Sequence, residues 1–381
     1  MSINKTIYPT QGSPYSETFV KAEIEILESH GLKVEHINVN ELKYSLIRFI
    51  YNIIHNPITF FYSLYVSLTS ISTITRFCSN MDCVIRIYSN RKILEKHFTP
   101  NVEIRCHFIA KRAMFSLVCH KLFNCKYSLV AHASDIFEWD NSIFHKIKHA
   151  ERVDCISNYN KGYLDAKLNF EFSTKLKLIR NSFYSKSKPF SLKNNKVNGV
   201  VGLKLYRFLY VGRLVKKKNI PTMIDLLEEL SFKYLPCELI IVGEGGDDEE
   251  NVNLKVNSLK SLKIKRLGYQ DSENISLEIE QADFTILIST LATREFPDQD
   301  GIPTIFLESL ALGTPVISTQ VSGIPELVED LSNGIILEKI SAKELYEKIQ
   351  LLSIDEDKII ERFNCWYKTG NGAKTFLEGN K

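Results

Sequence analysis

Residues 283–319 read DFTILISTLATREFPDQDGIPTIFLESLALGTPVIST, and the alternation of apolar runs and breakers along them decides the fold. Asp283–Ile288 is an apolar run of strand length, and a loop containing Pro297, Gly301 and Pro303 follows it. Pro303–Leu312 then keeps helical spacing up to a stop at Gly313, and Pro315–Thr319 is a second short apolar run. Strand, helix and strand in that order form the crossover unit of a parallel sheet. Strands of such a sheet are buried on both faces and therefore read as unbroken apolar stretches.

The same punctuation extends to both sides. Phe208–Val211 stops at Gly212, Ile220–Leu230 has helical spacing behind Asn219, and Glu238–Val242 ends at Gly243. After Gly323 a short helix is expected near Pro325, and Gly334–Leu337 reads as another strand. In the N-terminal half a strand near Lys5–Tyr8 leads into a helix from Ser16 to His30, stopped by Gly31, and then a strand over Lys33–Val39. Further strands are expected at Cys83–Ile87, Val102–Cys106, Tyr127–Ala131 and Asp154–Ser157. This is an α/β chain with two Rossmann-like parallel sheets. The polar, basic stretch between Phe183 and Gly199 separates them, giving domains at 1–190 and 200–360. Residues 361–381 form a C-terminal helix whose Trp366 and Tyr367 either anchor it back on the first domain or pack on their own.

A chain of 381 residues is long enough for two cores, and 44% hydrophobic with 24% charged residues is a globular composition. The net charge of +3 hides an asymmetry. Residues 1–200 hold 27 basic against 16 acidic side chains, and residues 201–381 hold 21 against 29, so the halves carry +11 and −8. A basic half suits acidic substrates or an anionic membrane surface; nucleic acid is disfavoured, since no zinc-finger, RNA-binding or arginine-rich pattern accompanies it. Eight scattered cysteines without a CxxC pair, and no cleavable signal, suggest reduced thiols in a cytoplasmic setting. The uncharged stretch Phe49–Thr75 contains Asn52, His55, Asn56 and Pro57, which argues against a membrane span. Two short helices packed on the core, or a peripheral membrane face flanked by Arg48 and Arg76, are the readings left open.

Chemistry concentrates after the strand at 283–288, because functional loops of a parallel sheet sit at the carboxyl ends of its strands. Gly301 lets backbone approach a ligand, and Pro303 at the first helical position gives up an amide that would be unpaired anyway. The amides of Thr304 and Ile305 then point out of a helix N-terminus, a ready phosphate site. Glu308, four residues beyond Thr304, shares its face and can accept two hydrogen bonds from the vicinal hydroxyls of a ribose. Taken alone, the stretch serves equally as a capped surface helix. Arg213 and Lys218, after the strand at 208–211, supply cations at the same edge that could clamp a pyrophosphate, although three lysines in a row are commonly a solvated loop.

VGRLVKKKN, IIVGEG and DGIPTIFLESLALGTPVISTQVSGIPELV, in that order, resemble the retaining glycosyltransferases of family four, which have the GT-B fold of two facing Rossmann-like domains. The resemblance implies that Glu308 holds the donor ribose and that Arg213 and Lys218 bind the pyrophosphate. It also implies that the backbone of Gly301, Ile302, Pro303, Thr304 and Ile305 grips the donor's sugar hydroxyls and phosphate. Asp300 stands where the family usually has Glu, one methylene shorter, and positions the donor sugar. The base would be read near Gly268-Tyr269-Gln270, with Tyr269 on the donor side.

In the N-terminal half, Ser16-Glu17-Thr18-Phe19, Cys106-His107-Phe108 and Ala131–Phe137 resemble segments of members that build bacterial exopolysaccharide, capsule or lipopolysaccharide. Arg105 and Cys106 depart from the second segment. His132 matches the histidine that faces the donor sugar, and Asp135 orients its loop or contacts acceptor. Gly12, Ser16 and Glu17 fall on the acceptor side, with one glycine where many relatives have a pair.

The implied activity is a retaining, metal-independent hexosyl transfer from a nucleoside-diphosphate sugar to a glycan or lipid-linked oligosaccharide. His132 and Asp300 are its catalytic pair, and no cofactor or metal ligand set is expected. The protein would be cytoplasmic, with peripheral contact to an anionic membrane. Two alternatives share the fold: a nucleotide-sugar 2-epimerase, and a non-catalytic nucleotide-sugar-binding subunit.

Overall fold

The computed structural model describes residues 5–11, 18–70, 74–138, 140–181, 204–291 and 298–368. They fall into two compact units, 5–181 and 204–368. Gly12, Ser16, Glu17 and the tail from residue 369 lie outside the described residues.

The first unit runs β1 (Lys5–Thr10), α1 (Thr18–Ser29), β2 (Lys33–Asn38), α2 (Leu46–His55), α3 (Pro57–Leu68), α4 (Ile74–Leu94), β3 (Val102–His107), α5 (Lys111–Phe123), β4 (Lys126–Ala131), α6 (Ser134–Phe137), α7 (Ser142–His149), β5 (Arg152–Cys155), α8 (Asn158–Lys167) and β6 (Leu176–Leu178). Its six strands are parallel in the order β2-β1-β3-β4-β5-β6. The expected strand at Cys83–Ile87 is instead the middle of the 21-residue helix α4. Most of its buried positions, Asn80, Cys83, Val84, Ile87, Tyr88 and Leu94, follow the i, i+3, i+4, i+7 spacing of one helix face, with buried Ser89 and Asn90 beside them, a period that outweighs the short apolar run.

The stretch Phe49–Thr75 contains two helices that break at Asn56-Pro57, because a proline cannot continue the preceding helix. No described helix is long and apolar enough to cross a membrane. One face of this pair packs on the core through Phe49, Ile53, Phe60 and Val66. The other is also apolar yet uncovered, with Ile47 83% and Ile58 85% exposed, together with Leu46, Ile54, Phe61, Tyr65 and Leu68. Arg48 is exposed beside it. Arg76 does not flank this face, because its guanidinium is engaged by Asp140 at 3.0 Å and Glu138 at 3.4 Å.

The second unit runs β7 (Tyr206–Val211), α9 (Ile220–Lys233), β8 (Cys237–Val242), α10 (Glu249–Val256), β9 (Lys263–Gly268), α11 (Ser272–Gln281), β10 (Phe284–Leu287), α12 (Thr304–Ala311), β11 (Val316–Thr319), α13 (Ile324–Leu327), β12 (Gly334–Leu337), α14 (Ala342–Leu351) and α15 (Glu356–Lys368). Its sheet, β12-β11-β10-β7-β8-β9, is the Rossmann order of strands, all parallel. The central strands are nearly inaccessible from Phe208 through Ile335, as burial on both faces requires. Gly313, at φ +77, ends the crossover helix in the left-handed conformation that side chains disfavour. Trp366 and Tyr367 belong to α15, where their rings contact Phe363, and α15 packs against α12 of the same unit.

Candidate functional site

In the second sheet the strand order reverses between β7 and β10, and the crevice at their carboxyl ends is where such a sheet binds ligands. Two loops meet there. β7 runs into a turn at Gly212 that lies against β8's exit. A Cβ on Gly243 would come 2.1 Å from the Gly212 carbonyl oxygen, so only glycine fits at φ +116. The chain continues through Arg213 into a single 3₁₀ turn, Lys216–Lys218. The Thr290 amide, just past β10, donates to the Lys217 carbonyl at 3.0 Å and ties the two loops together.

Asp300 is the hub. It is 6% exposed. Its Oδ1 accepts from Lys218 Nζ at 2.9 Å, its Oδ2 accepts from the Ser289 hydroxyl, and Lys217 Nζ stands 3.9 Å away while pairing with Asp298 at 2.7 Å. Burial alone would raise the Asp300 pKa, but Lys218, Lys217 and the Ser289 hydroxyl more than reverse this and hold it below the usual carboxylate range. The structure therefore brings Lys218 and Asp300 into one buried pair. Ser289, Lys217 and Asp298, which the motif did not single out, complete it. The Asp298 and Ser289 positions follow no spacing rule that would have flagged them.

Arg213 differs from Lys218. Its side chain is exposed and makes no ion pair or hydrogen bond among the described residues, while its carbonyl accepts from the Tyr210 hydroxyl at 2.8 Å. The turn is thus pinned by backbone, leaving the guanidinium available. Pro303 sits at the N-cap in extended backbone, not at the first helical position, so α12 begins at Thr304. The Thr304 and Ile305 amides have no acceptor among the described residues. Gly301, Ile302, Pro303 and Ile305 are buried, leaving that backbone as the segment's accessible chemistry.

Glu308, one turn further along α12, has no hydrogen-bond or ion-pair partner among the described residues, and burial pushes its pKa up to about 7. A partly sheltered carboxylate without a partner is costly in a folded protein, and is a mark of a binding position. Tyr269 is 77% exposed at the end of β9, two strands from β7. Among the described residues no group of three or more His, Cys, Asp or Glu side chains is placed to hold a metal.

In the first sheet His132 follows β4 and is 5% exposed. Its ring contacts Phe108 and Phe19 at centroid distances of 4.3 and 4.6 Å, and its Nε2 lies 3.0 Å from His107 Nδ1. Burial, then the neighbouring His107 and Arg112, hold its pKa well below the ordinary histidine value, so the ring is neutral. The Asp135 carboxylate accepts backbone amides of its own and a neighbouring loop. It is 2% exposed, its Oδ1 accepts the Ala133 and His132 amides at 2.8 and 3.1 Å, and its Oδ2 accepts the Ile109 amide at 2.9 Å. The Asn160 side-chain amide donates to the His132 carbonyl, so His132 is clamped from both sides.

Residues 194–365 match the family model "Glycosyl transferases group 1". The chain is 29% identical over 154 residues to the amylovoran biosynthesis glycosyltransferase AmsK of Erwinia amylovora, covering 40% of this chain and 37% of that protein. It is 24% identical over 270 residues to an uncharacterized glycosyltransferase of Methanocaldococcus jannaschii, covering 67% of this chain and 66% of that one. The chain thus spans less than two thirds of the length of either relative. Among solved structures, HepE of Anabaena in complex with UDP and glucose superposes with a TM-score of 0.62 at 15% identity, over 99% of this chain and 98% of that one. That likeness is one of fold, and it agrees with the GT-B class of two Rossmann-like sheets. The stretch that matches this family model, residues 194–365, includes every donor-side residue discussed above.

Proposed function

We propose that the protein is a retaining, metal-independent hexosyltransferase that moves a sugar from a nucleoside-diphosphate sugar to a glycan or lipid-linked oligosaccharide in bacterial surface polysaccharide synthesis. The observation that carries this reading is the pairing, at one sheet edge, of amide and guanidinium donors with a carboxylate, all without a protein partner among the described residues. Among the described residues, Thr304 and Ile305 offer free amides at a helix N-terminus, Arg213 offers a free guanidinium, and Glu308 offers a carboxylate without a protein donor. In this reading Glu308 takes the ribose hydroxyls. Arg213, Lys218 and the amides stabilise the departing diphosphate, and Asp300 and His132 position the sugar. The bond from the anomeric carbon to the diphosphate oxygen breaks, and the bond to the acceptor oxygen forms on the same face. The acceptor's proton passes to the leaving phosphate oxygen. Cationic side chains and helix amides then supply the charge that a metal supplies elsewhere.

The uncovered face of α2 and α3 supports peripheral contact with an anionic membrane surface at the cytoplasmic side. No carboxylate occurs from Leu42 to Met81, and Lys43 and Arg48 are exposed at the start of the pair. On the α3 flank, Tyr62 donates to or accepts from His149 at 2.9 Å beside Lys121, which in turn lies near Lys148. Apolar side chains edged by cations suit the boundary between lipid tails and anionic headgroups.

The test of the enzymatic reading is thermal stability of the full chain with UDP, GDP, ADP, TDP and CDP, followed by transfer assays with the nucleotide sugar of whichever base stabilises it. One nucleotide raising the midpoint, with no effect on Glu308→Ala, supports the donor site. No stabilisation by any of them overturns it. Donor consumed with inversion at a ring carbon would identify an epimerase, and binding without turnover would identify a non-catalytic subunit.

A further inference from the structure

The stretch Ile240–Gly246, IIVGEGG, follows the Arg213 loop in the motif order, yet apart from the Gly243 contact it has no part in the site described above. Main-chain contacts give it one. The Gly212 amide donates to the Val242 carbonyl at 3.0 Å and the Leu214 amide to the Gly245 carbonyl at 2.9 Å. The Asp248 amide in turn donates to the Leu214 carbonyl at 3.0 Å. The two loops lie so close that a Cβ on Gly246 would stand 2.2 Å from the Leu214 carbonyl oxygen. Arg213 therefore sits between two residues whose backbones are both fastened to the loop after β8.

A second hold comes from the strand itself. Tyr210 on β7 is fully buried, and its hydroxyl donates to the Arg213 carbonyl at 2.8 Å. The Val215 amide donates to the same oxygen at 3.0 Å, so both lone pairs of that carbonyl are used. Phe208, two residues earlier on the same face of β7, is equally buried and stacks on Phe284 without a hydroxyl. Strand packing alone thus does not call for one at 210. Burial, then the nearby Asp300 carboxylate, hold the Tyr210 pKa above the ordinary tyrosine value, so the hydroxyl keeps the proton it donates. The Arg213 side chain, by contrast, is exposed and has no partner among the described residues. A long side chain of this kind has many rotamers to lose when it grips an anion, and a fixed backbone beneath it keeps that loss to the side chain alone.

We propose that Tyr210 is a positioning residue for Arg213: its hydroxyl, together with the backbone of Gly243–Gly246, fixes the 212–215 turn so that the guanidinium is presented to the diphosphate of a nucleotide ligand. The ligand half rests on the glycosyltransferase reading; the hold on the turn does not. The glycines of IIVGEGG then act as a main-chain support for the arginine loop, since any side chain at 243 or 246 would push that loop away. Tyr210 itself touches no ligand, because its hydroxyl is spent on the Arg213 carbonyl under the turn.

The experiment compares the full chain with Tyr210→Phe, Arg213→Ala and the double variant. Without ligand, amide hydrogen exchange reads the hold directly. The Leu214 and Val215 amides are expected to exchange about tenfold faster in Tyr210→Phe than in wild type, and unchanged exchange would overturn the proposal. Dissociation constants are then measured for the diphosphate and the monophosphate of the base that stabilises the chain, UDP and UMP for example. Tyr210→Phe should weaken the diphosphate by about three- to tenfold and leave the monophosphate as in wild type, a selectivity that a general loss of stability would not produce. In the Arg213→Ala background the same change should have no further effect. An equal loss in both backgrounds would overturn the proposal, since the hydroxyl would then act without Arg213. Arg213→Ala binding the diphosphate as wild type does would overturn the ligand half and leave the hold on the turn standing. Wild type binding no nucleoside diphosphate would overturn the glycosyltransferase reading and the ligand half with it, while the exchange result would still decide the hold. Should Tyr210→Phe not fold, Gly246→Ala displaces the same turn from its other side and is expected to give the same selective loss; an undiminished preference for the diphosphate in that variant would overturn the proposal.

Discussion

Replacing Glu308 by glutamine should stabilise the protein while weakening nucleotide binding, and the stabilisation should depend on pH in a way that identifies its cause. Burial raises the Glu308 pKa from 4.5 to about 7. A carboxylate whose folded pKa lies above its unfolded one ionises first in the unfolded chain. At pH 4 both states are protonated and the group is neutral toward stability. Between about pH 4.5 and 7 the unfolded state ionises alone and folding stability falls; above pH 7 the loss is complete and constant. A difference of about 2.5 pKa units corresponds to about 3 kcal/mol. A glutamine side chain has no charge to desolvate, so Glu308→Gln should gain about 3 kcal/mol over wild type at pH 8 and nothing at pH 4. For a unit of this size that is a midpoint rise of about 6–12 °C. Denaturant unfolding and thermal scans at pH 4, 6 and 8 measure it. A gain of the same size at every pH, or no gain at pH 8, would mean that Glu308 is solvated and that the partnerless acid carries no argument. Binding supplies the complement. If the ribose needs the ionised form, nucleotide affinity should rise about tenfold from pH 6 to 8 in wild type and stay flat in the variant.

Three further outcomes follow from the same geometry. Arg213→Ala should leave the unfolding free energy within about 0.5 kcal/mol of wild type, since its side chain has no partner among the described residues, while turnover falls by about 10²-fold or more; a large stability loss would show that the guanidinium is structural. Asp300→Glu, the residue usual in the family, adds a methylene to a site only 6% exposed, so a loss of about 1–3 kcal/mol is expected in denaturant unfolding and a neutral result would mean the pocket has room. Ile47→Asp with Ile58→Asp should abolish co-sedimentation with vesicles containing anionic phosphatidylglycerol without altering nucleotide-induced stabilisation; unchanged sedimentation would remove the membrane from the α2 and α3 face.

Which parts of this molecule were legible in its sequence follows from the range of the interactions that make them. The crossover unit at 283–319 could be read because its strands are buried on both faces and its helix is punctuated at both ends, so the pattern lies within one short window. β6 and β9 were not anticipated, because each is a sheet edge: Leu176–Leu178 is only three residues, and Lys263–Gly268 places lysines along an exposed side. In α4 the apolar run at Cys83–Ile87 imitates a strand, and only the longer window from Asn80 to Leu94 reveals the helical period. The residues proposed to face the diphosphate were legible as motif positions, but their electrostatics were not. Lys218 and Asp300 are 82 positions apart, and nothing local says that one buries itself against the other.

The N-terminal site depends on distant partners still more heavily. His132 and Asp135 sit three apart and can be read together, and the structure confirms that Asp135 holds the His132 amide. Glu23, Arg105 and Asp154 are separated by 82 and 49 positions, and each alone looks like an ordinary surface charge. Their burial makes sense only as a set, since an isolated one would be costly in a site this dry, while here Arg105 pairs with both carboxylates and Arg152 pairs with Asp154 as well. Arg105, the departure from the familiar segment, is therefore not a gap in the site. It supplies the positive charge that lets Glu23 remain ionised under the sheet. Replacing Arg105 by methionine should accordingly do more than loosen packing: with its charge removed, Glu23 should take up a proton, which a protonated-carboxyl infrared band at neutral pH would report. A Glu23 that stays ionised in that variant would show that Arg105 acts only through volume.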